Sequence, residues 1–213
     1  MCNLTETNAA KCHSKEDFLE AVAAATAIGT LQATYTDFKY VQPEWKKNAE
    51  EEALLGVSIT GQAEAQAILT EENLREAATL AVQVNKDWAN KLGINPAKRI
   101  TTTKPSGTSS SWLGTTAGVH AGHEIRYLRR VRMDKTSALA KALAKRFPAF
   151  VVEDPFNSND MIMQIPVKLY DTTLLRSQET AVQCLERVKK LYHNWIVPRS
   201  EEHTSELQSR QYL

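Results

Sequence analysis

The stretch KPSGTSSS, residues 104–111, puts a lysine, a proline, a glycine and five hydroxyl side chains into eight positions. Hydroxyls and backbone N–H groups on a strand-to-helix bend make a nest for phosphate oxygens. Gly107 lets the backbone approach a ligand closely, and Pro105 stiffens the entry. The stretch is no P-loop, because the Gly-Lys-Ser/Thr ending is absent. It is no nucleophile elbow either, because no G-x-S-x-G is present. Composition alone leaves three readings open: a phosphate site, a hydrolase using Lys104 with one of the serines, and an ordinary polar loop.

Other reactive side chains give weaker signals. His120 and His123 stand three apart, a spacing that suits a metal, but no third ligand is evident. A pair of hydrogen-bonding histidines beside a strand is the plainer reading. Arg126, Arg129, Arg130 and Arg132 crowd one segment. Strand alternation puts Arg130 and Arg132 on one face and Arg129 on the other, so they cannot all serve one anion. Solvated or ion-paired arginines are expected. Cys2, taken alone, reads as a bystander. Cys12 and Cys184 read as structural, with Cys184 a buried thiol on the last helix.

Periodicity gives the elements that must position these groups. Ser14 caps a helix with Glu16 and Asp17 in its first turn and Phe18, Leu19, Val22 and Ala25 as its apolar stripe; Gly29 interrupts the run. Residues 43–52 are polar and charged. ALLGVSITG, 53–61, reads as a buried strand. Thr70 caps the clearest helix, with Leu74, Ala77, Ala81, Val84, Trp88 and Leu92 on one face and Gly93 as its stop. RITTTK, 99–104, reads as a strand feeding the polar bend. RYLRRVRM (126–133) and MIMQIP (161–166) read as strands, and KTSALAKALAKRF (135–147) as a helix. Ser177 caps a last helix carrying Val182, Leu185, Val188, Leu191 and Trp195, which Pro198 stops. Strands and helices alternate, so the fold class is α/β.

The chain has 213 residues, is 42% apolar and 24% charged, and carries a net charge of +1. Nothing global points to a nucleic-acid partner or an acidic membrane surface. No apolar run approaches the ~20 residues of a membrane helix. The opening residues lack the basic head and apolar core of a signal peptide. Three cysteines are too few for a secreted disulfide scaffold, so a reducing, cytoplasmic compartment is expected.

The end of the chain is anomalous. RSEEHTSELQS, from Arg199, is what a widely used DNA sequencing adapter encodes in one frame, and RQYL fits an index followed by constant adapter sequence. Residues 199–213 are therefore expected to carry neither fold nor function, leaving 1–198 as the genuine segment.

Four stretches taken together resemble the adenosylcobalamin-dependent (class II) ribonucleotide reductases, of the ribonucleoside-triphosphate reductase type. They are CNLTETN (2–8), IGTLQATYTDFKYVQPEWKKNAEEEALLGVSITG (28–61), TTTKPSGTSSSWLGTTAGVH (101–120) and RYLRRVR (126–132). The resemblance implies a ten-stranded α/β barrel with a finger loop, of which 1–198 would be a C-terminal part truncated at both ends. It implies adenosylcobalamin as cofactor, which generates a thiyl radical on a finger-loop cysteine. A cysteine pair then supplies reducing equivalents as the ribose 2′-hydroxyl leaves, and dithiol exchange with thioredoxin or a similar reductant resets it.

Residue by residue, the family's CNL cysteine matches Cys2, which would be one of the reducing pair, with its partner outside this chain. The Asn-Pro-Cys-Gly-Glu motif bearing the radical cysteine is also missing, so the segment alone is expected to be inactive. Glu6 follows CNL and reads as structural rather than as the catalytic glutamate. Ser106, Gly107, Thr108, Ser109 and Ser110 match the loop that holds the substrate's phosphates. The substrate would be a ribonucleoside triphosphate, or else a diphosphate. No metal site, nucleic acid or membrane is implied. Two alternatives stand beside this reading: a cobalamin-independent reductase, and a non-catalytic nucleotide-binding protein derived from the same barrel.

Overall fold

The computed structural model describes residues 3–196. Cys2, Pro198 and the 199–213 segment lie outside them. The first strand, β1 (Asn3–Asn8), is followed by α1 (Lys15–Gln32), α2 (Pro43–Glu52), β2 (Leu55–Thr60) and α3 (Glu71–Leu92). A short helix α4 (Ser109–Leu113) comes next, then β3 (Arg126–Asp134), α5 (Ala138–Arg146), β4 (Val151–Glu153), β5 (Asp160–Lys168) and α6 (Ala181–Leu191). A wide π-type turn, Tyr192–Ile196, closes the described chain.

β1 and β2 pair in parallel, with Thr5 opposite Val57 and Glu6 opposite Ser58. Every residue of β2 is buried. Leu55, Val57 and Ile59 alternate with Gly56, Ser58 and Thr60, and the two hydroxyls can be buried because Ser58 Oγ accepts from the Lys104 N–H and Thr60 Oγ1 donates to the Thr116 carbonyl. α1 and α3 cover this pair. Phe18 and Val22 from α1 meet Leu74, Ala77, Ala78 and Ala81 from α3 around Val57 and Ile59. The second sheet is antiparallel, in the order β3-β5-β4.

Several local expectations hold. Ser14 closes a capping box with Asp17, and Thr70 accepts from the Asn73 N–H. Gly93 ends α3 in the left-handed conformation, with φ 68°. Others need correction. α1 runs through Gly29 without interruption, because the missing side chain lets the helix approach the sheet; a Cβ there would stand 2.8 Å from Leu55 Cδ2. Residues 43–52, read only as polar, form α2, supported by Lys46–Glu50 and Lys47–Glu51 pairs one turn apart. Residues 99–104 run beside β2 but form a single bridge, Val57 to Thr101, rather than a strand. The last helix is capped by Thr180, which exchanges a capping box with Gln183, and not by Ser177. Of its predicted stripe, Leu191 and Trp195 are buried, but Val182, Leu185 and Val188 are 65%, 66% and 42% exposed. Cys184 lies on the same helix, half-buried rather than enclosed.

A buried ion pair ties α6 to the loop before β3. Glu179 receives two hydrogen bonds from Arg187, whose Nη1 also donates to the Val119 carbonyl at 2.7 Å. The guanidinium holds the Glu179 carboxyl below its ordinary value, with burial opposing it. A carboxyl lowered in the folded state stabilises fully above its unfolded value, and that contribution is lost as pH falls through the folded value. The melting temperature of Glu179→Gln should therefore fall less steeply than the parent's on acidification below pH 4.5, the ordinary value of this group. Parallel thermal-melt profiles between the two proteins would refute the coupling.

Candidate functional site

The polar bend sits at the end of the β1–β2 pair and is clamped from both sides. Proline at 105 biases Lys104 toward extended backbone. The Lys104 N–H donates to Ser58 Oγ at 3.2 Å. Ser106 then turns into the left-handed region, with φ 55°. For a residue with a Cβ this costs about 1–2 kcal/mol. The Ser106 hydroxyl donates to Glu6 Oε1, and Lys104 Nζ lies 3.3 Å from Glu6 Oε2 without completing a directed hydrogen bond. The Glu6 side chain is only 6% exposed. Lys104 thus faces a carboxylate, and no hydrogen bond joins its ammonium to a serine of the loop among the described residues. The hydrolase reading loses its base.

Past Gly107, the chain enters α4. The Ser106 carbonyl accepts from the Ser110 N–H, and the Thr108 carbonyl from Ser111 and Trp112. Thr108 is exposed and makes no side-chain cap bond, while Ser110 is 1% exposed. The Ser110 hydroxyl has no hydrogen-bond partner among the described residues. A buried hydroxyl without a partner is uncommon in folded proteins and asks what completes it.

The far end of the loop is held by Glu64, which sequence reasoning missed. Its Oε1 accepts from Thr115 Oγ1 at 3.0 Å and from the Thr116 N–H at 2.8 Å. The Thr116 carbonyl in turn accepts from Thr60 Oγ1 at 2.8 Å and from the Gly61 N–H. Gly118, with φ 51°, packs its Cα side against the Lys104 carbonyl, where a Cβ would come within 2.7 Å. No local signal joins Glu64 to threonines 51 and 52 residues away; the contact exists only once β2 and the loop are assembled.

The structure gathers Ser106, Gly107, Thr108, Ser109 and Ser110 on one bend, as their sequence spacing requires, and brings Glu6 and Lys104 against it. The arginines disperse. Arg129 donates to Ser111 Oγ, and to the Tyr127 hydroxyl at 3.2 Å, whereas Arg132 pairs with Asp154 on the opposite side. His123 stacks edge-on against Tyr127, with ring centroids 5.9 Å apart. Cys12 is buried, and its thiol is pushed above its ordinary value by that burial and by Asp17.

No protein-family model matches the chain. Curated relatives do. An adenosylcobalamin-dependent ribonucleoside-triphosphate reductase of Levilactobacillus brevis is 36% identical over 89 residues, covering 41% of this chain and 12% of that protein. A probable enzyme of the same description from Dictyostelium discoideum is 27% identical over 178 residues, 78% of this chain and 22% of the relative. The Euglena gracilis enzyme is 29% identical over 156 residues, 68% and 20% of the respective lengths. The chain therefore spans at most about a fifth of these relatives. In backbone, it superposes on a B12-dependent (class II) ribonucleotide reductase crystal structure with a TM-score of 0.71 at 17% identity, covering 92% of this chain and 31% of that one. The described strands form no closed barrel, only the two small sheets above. In sequence the chain is similar to adenosylcobalamin-dependent ribonucleoside-triphosphate reductases, and in fold it is similar to a class II ribonucleotide reductase.

Proposed function

We propose that the chain is part of a ribonucleoside-triphosphate reductase, which converts ribonucleotides to 2′-deoxyribonucleotides by thiyl-radical chemistry. The loop formed by residues 106–110 would hold the substrate's phosphates. The observation that carries the reading is the loop itself: a bend clamped at both ends, with a buried Ser110 hydroxyl that has no partner among the described residues and a solvent-facing Thr108 beside it. A triphosphate tail would accept from these hydroxyls and from the N–H groups of Gly107 to Ser109.

In this reading Cys2 supplies half of a redox pair. Reducing C2′–OH to C2′–H with release of water takes two electrons and two protons. Two thiols provide both as they close a disulfide, and an external dithiol such as thioredoxin reopens it. The partner thiol and the radical cysteine would belong to the remainder of the protein. Adenosylcobalamin would generate the radical there. Among the described residues no group of three or more His, Cys, Asp or Glu could hold a bare metal ion, and a cleft of about 750 Å³ is lined by Asn3, Leu4, Gln32, Tyr35 and Phe38. No described helix is long and apolar enough to cross a membrane.

The test is formation of deoxynucleotide by the full-length protein, supplied with a ribonucleoside triphosphate, a dithiol and adenosylcobalamin. Product that requires all three is expected. Product without the cofactor would identify a cobalamin-independent reductase, and none under any condition would leave a nucleotide-binding protein on the same scaffold. Within the site, Thr108→Ala should weaken substrate affinity by roughly 1–3 kcal/mol, the loss of a hydrogen bond to a charged group. An unchanged affinity in equilibrium titration would remove Thr108 from the phosphate site.

A further inference from the structure

We infer that Glu6 is the positioning residue of the phosphate loop: through the Ser106 hydroxyl and Lys104 its carboxylate holds the 104–107 bend in shape, so that Ser106 is a strut and not a phosphate ligand. The inference rests on the phosphate-loop reading for its functional consequence, but not for its geometry.

Three features converge. Glu6 is an acidic side chain almost wholly removed from solvent, and both of its neighbours at the carboxylate, Ser106 and Lys104, belong to the loop. Ser106 sits in a backbone region that residues other than glycine avoid, and its hydroxyl is engaged with Glu6. A strained residue persists where surrounding contacts over-determine it. The distances are set by the sheet and not by the loop: Glu6 lies opposite Ser58 in the β1–β2 register, and Ser58 Oγ is the acceptor for the Lys104 N–H. One rung of the ladder thus fixes the loop twice, once through each strand.

Charge explains the lysine. A buried carboxylate beside a loop meant for an anion would repel it. With Lys104 Nζ at 3.3 Å, the pair is formally neutral, and the donors of Gly107 to Ser110 meet the ligand without an opposing charge. The serine that touches Glu6 is already committed, which divides the hydroxyls of the bend by role. Ser106 shapes, and Thr108, Ser109 and Ser110 bind.

The experiment is hydrogen exchange of peptides covering 104–118 in the full-length protein, comparing the parent with Glu6→Gln, Ser106→Ala and Ser106→Gly, each with and without inorganic tripolyphosphate. Substrate KM and kcat are measured in parallel. Ser106→Ala keeps the strained backbone and removes the strut, so exchange should quicken and KM rise about tenfold, the population cost of one left-handed residue, with kcat little changed. Glu6→Gln keeps an acceptor for the Ser106 hydroxyl but loses the charge that holds Lys104, so it should shift both readouts in the same direction by a smaller factor. Ser106→Gly also lacks the hydroxyl, but glycine takes this φ freely, so both readouts should stay within about threefold of the parent. If Ser106 were a ligand, the alanine and glycine variants would lose affinity equally, and that result overturns the proposal. So does parental exchange in Glu6→Gln. Should that variant not fold, the alanine–glycine comparison decides alone. Tripolyphosphate should slow exchange across 107–111 in the parent. Faster exchange in Glu6→Gln with no tripolyphosphate protection would keep the strut and sink the phosphate reading instead.

Discussion

Cys2→Ser in the full-length protein should reduce dithiol-driven deoxynucleotide formation to background. A serine hydroxyl forms no disulfide, so it cannot release the two electrons that the loss of the 2′-hydroxyl demands. Substrate affinity should be unaffected, since the phosphate contacts are drawn from residues 107–110. The other two cysteines are the controls. Cys12 is buried just before α1, with its thiol directed at the Asn8 carbonyl, 3.6 Å away. Burial and the nearby Asp17 raise its pKa, which leaves it little thiolate and makes it a poor nucleophile. Cys184 stands half-buried on α6. Serine at either position should leave turnover in place. Rates measured over many cycles separate the outcomes: undiminished steady-state product from Cys2→Ser would mean that the resemblance at CNLTETN carries no redox role.

The elements that sequence exposed best are those whose own residues contain both the pattern and the punctuation. α3 is the clearest case, with an apolar face at steps of three and four, a threonine cap and a glycine stop, all local. β2 was legible for the same reason: Leu55, Val57 and Ile59 alternate with small or hydroxyl residues in a short, buried run rich in β-branched side chains, with glycines at 56 and 61. β1 was not recognised as a strand, because NLTETN is polar and is held by its ladder to β2 and by contacts to the loop rather than by an apolar face. α6 misled in the opposite sense. Its stripe is real, but Val182 and Leu185 find no neighbour among the described residues to cover them.

The candidate site divides along the same line. The phosphate-loop residues are contiguous, so one short window displayed them. Glu6 and Glu64, which fix that window at either end, lie 100 and 51 residues from the hydroxyls they hold. Each looks like an ordinary surface acid in a chain where a quarter of the residues are charged. Only the assembled fold, with β1 paired to β2 and the segment after β2 set against residues 115–116, makes them part of the loop.

Trp195→Ala should be the most damaging substitution for stability, because this side chain joins the core to the loop. Trp195 is fully buried, against α3 and the apolar cluster of Phe18, Leu74 and Leu191. It lies in the widened turn Tyr192–Ile196, a departure from the straight helix that sequence periodicity implied. Its indole N–H donates to the Thr102 carbonyl at 2.9 Å, and its own carbonyl accepts from Thr101 Oγ1 at 2.6 Å. Those two residues lead directly into Lys104. Emptying the indole's space should cost about 3–5 kcal/mol. The stranded Thr102 carbonyl adds roughly 1–3 kcal/mol where water does not reach it. Trp195→Phe separates the two: it retains most of the volume and loses only the donor, so it should show the smaller figure alone. Equilibrium urea unfolding of the three proteins, at matched m-values, reads both differences. A loss below about 1 kcal/mol in the alanine variant would put Trp195 outside the cooperative core, and a phenylalanine variant as damaged as alanine would shift the weight from packing to the hydrogen bond. Residues 101–102 are tethered to Trp195 and the bend begins at 104, so a loosened tether should also reach the loop. Trp195→Phe should then raise substrate KM a few-fold while leaving the Cys2 chemistry intact, and an unchanged KM would confine Trp195 to the core.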